Sequence, residues 1–185
     1  GFEEEVENPS ELAKKLSDRH KGIGSDGLVL ILPSDICDFR MRMFNADGSE
    51  SEMCGNASRC VGKYVFDKGL TCKTVVTLET LAGVKSLELM VNEQNKVDKV
   101  TVDMGEPILD LPSIPALFPQ SPAVKQLLSI GKYTTYEVTC VSMGNPHAVM
   151  FLSNIDKLDL PIIGPPIENS RYFPNRTNTE FVEKI

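Results

Sequence analysis

The sequence lacks tryptophan, and its 185 residues include only two histidines, His20 and His147. Neither histidine lies at ligand spacing from a cysteine, so the four close ligands of a structural zinc site are not predicted, and we expect no metal. Positive charge is scarce, with 19 Lys and Arg against 26 Asp and Glu. The net charge of −7 argues against nucleic-acid binding and against binding to an anionic membrane. No apolar run approaches the roughly 20 residues of a membrane span.

The cysteines are odd in number, and no two of them have C-x-x-C spacing. This pattern favours a reducing compartment over a disulfide framework, and no signal peptide is evident. We therefore expect a cytoplasmic protein. The five cysteines are Cys37, Cys54, Cys60, Cys72 and Cys140.

Short helices and strands alternate without a regular βαβ pattern, which predicts an α+β fold with mixed or antiparallel sheets. One helix is predicted from a cap at Ser10 to Gly22, and a stronger one over residues 55–68, with Cys60 on its apolar stripe and Gly69 as its stop. Strands are predicted over residues 28–32, 38–44, 75–78, 84–91, 96–102, 133–141, 148–152 and 178–185.

Five prolines fall between residues 105 and 122, which is incompatible with an inner strand or a long helix. The sequence therefore predicts a boundary between a first half, residues 1–106, that carries the Cys54 helix, and residues 107–185, which form a linker and part of a second half. No strong helix is predicted in the second part.

The segment from Gly22 to Gly27 matches the pattern G-x-G-x-x-G. A dinucleotide site needs these glycines after a strand and before a helix, whereas here they follow a helix and precede a strand. A phosphate would find no helix N-terminus. The segment therefore predicts a tight turn.

Cys54 stands directly before the predicted helix of residues 55–68. The unpaired N–H groups and the positive dipole end of a helix N-terminus stabilise a thiolate, and Gly55 allows a ligand to approach the backbone. The same N–H groups could hold a substrate carboxylate. The alternative is a buried structural cysteine, which is what we expect of Cys60 and Cys140.

Residues 142–147, Ser-Met-Gly-Asn-Pro-His, place the amide of Asn145 and the imidazole of His147 at one bend between two strands. An amide and a proton-transfer group so close together are consistent with a site. The alternative is an ordinary turn with a partly exposed histidine.

Several segments, in this order, resemble those of the diaminopimelate epimerases, and the resemblance covers nearly the whole chain. The segment Cys54-Gly-Asn-Ala-Ser-Arg-Cys60 resembles the first active-site segment of that family. The other segments are Gly22 to Gly27, Phe44 to Glu50, Met104 to Pro107, Ser142 to His147, and Arg176 to Asn178.

The resemblance implies an epimerase without a cofactor that converts LL-diaminopimelate to the meso form. Two similar halves would each offer one cysteine across a cleft, one to remove the α-proton and the other to return a proton. Cys54 matches the first cysteine, and His147 matches a histidine near the catalytic centre. The implied partners are this small-molecule substrate and a second copy of the chain. The implied substrate-holding residues are Asn45, Gly55, Asn56, Asn145 and Asn178.

Three expected parts of the family pattern are not found, one of them an acidic and a basic substrate-contacting residue near the second cysteine. The second cysteine would follow Ile185, and an N-terminal strand would precede Gly1, so the second half is expected to be incomplete. Cys140 is no substitute, because no glycine-rich helix start follows it. We therefore expect the 185 residues alone to be nearly inactive.

Three other functions remain open. Cys54, His147 and Asn145 supply the residue types of a Cys-His-Asn thiol hydrolase. A related racemase could act on another amino acid such as proline, although the many asparagines suit a substrate with a second polar end. A non-catalytic protein would keep the fold with an ordinary thiol at position 54.

Overall fold

The computed structural model describes residues 6–132 and 134–184. It contains two compact units, the first ending at Met104 and the second beginning at Gly105. Each unit has its own sheet and hydrophobic core, and the few helices beside mixed sheets confirm the predicted α+β class. Tyr133, the predicted start of one strand, and Ile185, the predicted end of another, lie outside the described residues. In the described part of the chain, no helix has the length and apolar character needed to cross a membrane.

The first unit is built on a sheet with the strand order β1-β2-β4-β5-β6, and β3 pairs with β2. Neighbouring strands are antiparallel except β2 and β4, which are parallel and are joined by a crossover that contains α2. The elements are α1 (Pro9–Ser17), β1 (Gly27–Leu32), β2 (Phe39–Asn45), β3 (Glu50–Ser51), α2 (Gly55–Asp67), β4 (Val75–Thr80), β5 (Gly83–Val91) and β6 (Val97–Val102).

Helix α2 buries a stripe that differs from the predicted one. A Cβ on Gly62 would lie 2.9 Å from Cδ2 of Leu89, so the helix lies close to the sheet at this glycine. Cys60 precedes Gly62 by two residues, which is about 200° around the helix. Its predicted core position is therefore wrong, and Cys60 is exposed. The buried residues of α2 are Ala57, Ser58, Val61, Gly62 and Val65.

Helix α1 also differs from the prediction at both ends. Its cap is Asn8, whose Oδ1 accepts from the N–H of Glu11 at 3.2 Å, whereas the hydroxyl of Ser10 donates to the carbonyl of Gly48 at 2.7 Å. The helix ends at Ser17 rather than at Gly22, because the chain turns back and the N–H of Gly22 donates to the carbonyl of Asp18. The glycine segment connects α1 to β1, as predicted.

The second unit is built on a sheet with the strand order β10-β9-β8-β7. Strands β7, β8 and β9 are antiparallel, and β10 is parallel to β9 because α3 lies in the crossover between them. Its elements are β7 (Gln126–Ile130), β8 (Thr134–Ser142), β9 (Pro146–Phe151), α3 (Leu160–Glu168), β10 (Asn178–Val182), and short 3-10 helices at Leu111–Ser113 and Ile155–Lys157.

In the second unit, β7 and α3 were not predicted, nor were the two short 3-10 helices. Helix α3 contains three prolines, which are poor helix formers, but the first of them lies at the helix start, where its missing N–H costs nothing. The fully buried side chain of Ile167 fixes α3 to the core. Tertiary packing therefore overrides a weak local propensity here.

Candidate functional site

Cys54 is the N-cap residue of α2 and has extended backbone angles. Its sulfur accepts a hydrogen bond from the backbone N–H of Ala57 at 3.5 Å. The hydroxyl of Ser58 donates to the Cys54 carbonyl at 3.0 Å, and the Ser58 N–H donates to the same oxygen at 2.9 Å. These bonds hold a half-buried thiol at the start of the helix, where the sequence predicted it.

Gly55 and Asn56 provide the first backbone N–H groups of α2, which have no acceptor within a helix. A Cβ on Gly55 would lie 3.5 Å from the sulfur of Met104, an ordinary contact distance. Packing therefore does not require glycine at position 55. Asn56 is exposed, and its side-chain oxygen accepts from the guanidinium of Arg59.

Asn45 ends β2 at the turn that leads to β3. Its backbone N–H donates to the carbonyl of Ser49 at 2.8 Å, and its side-chain amide donates to the Ser49 hydroxyl at 3.0 Å. Strand β3 pairs with the end of β2 and leads into Cys54. The first unit thus holds four of the predicted site residues: Asn45, Cys54, Gly55 and Asn56.

The second unit brings the other three predicted residues together. The parallel pairing of β9 with β10 places His147 opposite Asn178, although 31 positions separate them in sequence. The side-chain amide of Asn178 donates to the carbonyl of Pro146 at 3.0 Å. Nε2 of His147 lies 2.9 Å from Oδ1 of Asn145.

Glu180 also belongs to this group, and the sequence analysis missed it. Its Oε1 lies 2.5 Å from Nδ1 of His147. Glu180 follows Asn178 by two residues on β10, and side chains two apart in a strand share a face. That alternation was the available signal, but it becomes informative only once β10 is known to lie beside His147.

Cys140 has a different environment from Cys54. It is fully buried in the core of the second unit, and burial raises the pKa of its thiol to about 11. Its predicted core position is confirmed, and it remains a neutral thiol at physiological pH. Among the residues that the structure describes, no cluster of three or more His, Cys, Asp or Glu is arranged to hold a metal ion.

Comparison with known proteins gives consistent relatives. The family model "Diaminopimelate epimerase" matches residues 2–109. A diaminopimelate epimerase of Acetivibrio thermocellus is 60% identical over 185 residues, covering 100% of this chain and 65% of that protein. A diaminopimelate epimerase of Methanococcus maripaludis is 57% identical over 182 residues, covering 98% of this chain and 65% of that protein. The chain thus spans about 65% of the length of the curated relatives it matches.

A solved structure supports the fold. The crystal structure of a probable proline racemase from Agrobacterium radiobacter is similar to this chain, with a TM-score of 0.62 and 19% sequence identity. The matched region covers 86% of this chain and 42% of the racemase chain. At this identity the likeness concerns the fold alone.

Proposed function

This chain belongs to the diaminopimelate epimerase family, and we propose that the protein inverts the α-carbon of LL-diaminopimelate to give the meso isomer, without a cofactor. The observation that carries the proposal is the sulfur of Cys54, half-buried at the N-terminus of α2 beside the N–H groups of Gly55 and Asn56. High identity to named epimerases over nearly the whole chain supports the same reaction.

In the proposed reaction, the Cys54 thiolate removes the α-proton of the substrate. The electron pair of the broken C–H bond stays on the α-carbon and is delocalised into the α-carboxylate. The N–H groups of Gly55 and Asn56 and the helix dipole bind that carboxylate, which stabilises the carbanion by fixed geometry and charge. A proton delivered to the opposite face then completes the inversion.

The substrate carries two amino-acid ends, which gives it more polar groups than a ring such as proline has. Four asparagines in the predicted set can donate to carboxylates through their NH₂ groups and accept from ammonium groups through their oxygens. We assign them to these ends on the family resemblance. They are Asn45, Asn56, Asn145 and Asn178.

His147 is proposed as the histidine of the catalytic centre. Both of its ring nitrogens have partners, Glu180 at Nδ1 and Asn145 at Nε2. If Asn145 turns to hold the substrate, Nε2 becomes available for proton exchange.

Inversion requires a second proton-transfer group on the opposite face of the substrate. Cys140 does not supply it, because its side chain is fully buried in the core of the second unit and is out of reach of a substrate. Among the described residues we assign no such group. The family resemblance also suggests that the native protein is a cytoplasmic homodimer.

The test uses the native protein with LL-diaminopimelate in D₂O, following meso product by chiral chromatography and α-deuterium by NMR. Cys54→Ser is expected to lower both rates by about 10²–10⁴-fold, the usual contribution of a positioned acid or base. Cys72→Ser changes an exposed cysteine outside the helices and strands, and is expected to leave both rates unchanged. Full activity of Cys54→Ser, or inversion of proline instead, would overturn the proposal.

A further inference from the structure

The Glu180 carboxylate has one oxygen on His147 and one without a partner. Oε1 lies 2.5 Å from Nδ1 of His147. Oε2 is buried and has no hydrogen-bond partner among the described residues. A buried charged oxygen is costly without compensation, and the bond from His147 to the other oxygen offsets part of that cost.

The bond fixes where the imidazole proton resides. An ionised carboxylate only accepts, so Nδ1 of His147 must be the donor. The reverse arrangement, with the proton on Glu180, is disfavoured because a carboxylic acid is ordinarily a much stronger acid than an imidazolium. In a neutral ring with its proton on Nδ1, the lone pair is on Nε2, and the Asn145 amide must then present its NH₂ group, because Oδ1, which lies 2.9 Å from Nε2, is itself an acceptor.

The position of Glu180 on β10 indicates that the contact is not needed for core packing. Phe181 packs against the hydrophobic core of the second unit, and alternate strand residues point to opposite faces. Glu180 therefore shares the face of Asn178, which the register sets opposite His147. The backbone ladder that pairs β10 with β9 does not involve the Glu180 side chain.

We infer that Glu180 is a positioning residue, which holds a ring proton of His147 on Nδ1 and so leaves Nε2 as the nitrogen that carries the lone pair when the ring is neutral. Its consequence for catalysis rests on the proposed function. The tautomer itself does not, because it is a property of the second unit with or without substrate.

The experiment is ¹H–¹⁵N NMR of the two histidines in the 185-residue chain, using long-range couplings that identify the protonated nitrogen. Spectra are taken at about pH 9, well above the ordinary imidazole range. The exposed His20 gives an internal reference. Glu180→Leu removes the acceptor, and Glu180→Gln keeps an oxygen without the charge. Glu137→Gln changes an exposed glutamate on β8 and serves as the matched control.

We expect Nδ1 of His147 to be protonated in the wild type and in Glu137→Gln. In Glu180→Leu the proton moves to Nε2, with His20 unchanged, and if that variant does not fold, the Gln variant shows a smaller Nδ1–H fraction than the wild type. An unprotonated Nδ1 in the wild type, or an unchanged fraction in both Glu180 variants, overturns the inference. A native protein that does not epimerise diaminopimelate overturns the proposed function and leaves the tautomer result in place.

Discussion

The backbone N–H of Ala57 donates to the sulfur of Cys54, so the residue proposed to move a proton also caps helix α2. Structure and chemistry therefore depend on one side chain, and a substitution can separate the two roles.

Serine and alanine at position 54 are expected to differ in stability but not in activity. Serine is a strong N-cap, whereas alanine offers no acceptor to the N–H of Ala57. We expect Cys54→Ser to exceed Cys54→Ala in free energy of unfolding by about 0.5–2 kcal/mol, while both lose epimerisation. Urea denaturation followed by circular dichroism measures the difference. Equal stability of the two variants would show that the cap contributes nothing.

Gly22→Ala is expected to destabilise the first unit, because a Cβ at this position would lie 2.2 Å from the carbonyl oxygen of Lys15 and 2.7 Å from that of Leu16. These are backbone atoms, so the turn itself must shift. We expect a loss of about 1–3 kcal/mol or more in the free energy of unfolding.

Gly164→Ala is the matched control for that change. Gly164 lies inside α3, and a Cβ there would meet nothing within 4 Å among the described residues. The control is expected to gain up to about 1 kcal/mol from helix propensity. Thermal melts of the two variants should therefore shift in opposite directions, and a stable Gly22→Ala would contradict the steric argument.

The thiols are expected to react with iodoacetamide in two classes. Cys60 and Cys72 are exposed, whereas Cys140 is fully buried, with its pKa raised to about 11. At about pH 8, below that pKa, Cys140 stays a neutral thiol out of reach of reagent, so only unfolding exposes it. Peptide mass spectrometry across a urea series should show Cys140 labelling that follows the unfolding curve. Labelling of Cys140 in the native protein as fast as that of Cys60 would be inconsistent with its burial.

Asp38 is expected to make the first unit sensitive to acid. Hydrogen bonds from Lys73 and from the N–H and hydroxyl of Thr77 lower the pKa of its carboxyl. A lowered folded-state pKa gives stability that is present above the unfolded value of about 3.9 and is lost as the pH falls through the folded value. We expect Asp38→Asn to cost about 1–3 kcal/mol at pH 7.

The check is urea denaturation of wild type and Asp38→Asn from pH 7 down to about pH 3, where the carboxyl of the unfolded chain becomes protonated. The difference between the two proteins should shrink as the pH falls. Asp35→Asn removes an exposed charge three residues earlier and should match the wild type throughout. A difference that persists unchanged at low pH would show that the carboxylate charge is not its source.

Local patterns were sufficient for the first part of the candidate site. An apolar helical repeat and Gly69 after it predicted α2 with Cys54 at its start, and the structure has the helix there. These signals act within one or two turns of chain, which is the range over which capping and periodicity operate.

Features that depend on distant contacts could not be predicted. The exposure of Cys60 follows from the close approach of Gly62 to Leu89, and the helix α3 depends on burial of Ile167. Glu180 became relevant only when the parallel register of β9 and β10 was known. Each of these is decided by packing between separate elements, on which a local sequence pattern carries little information.

The crossover from β9 through α3 to β10 has a consequence for biosynthesis. His147 and Glu180 are 33 positions apart, so a nascent chain that has emerged from the ribosome only as far as α3 carries the imidazole without its carboxylate. The pair can form only after β10 has been synthesised and has docked, and such long-range closure is slow compared with local helix formation. The pairing of His147 with Glu180 is therefore among the late events in the folding of the second unit.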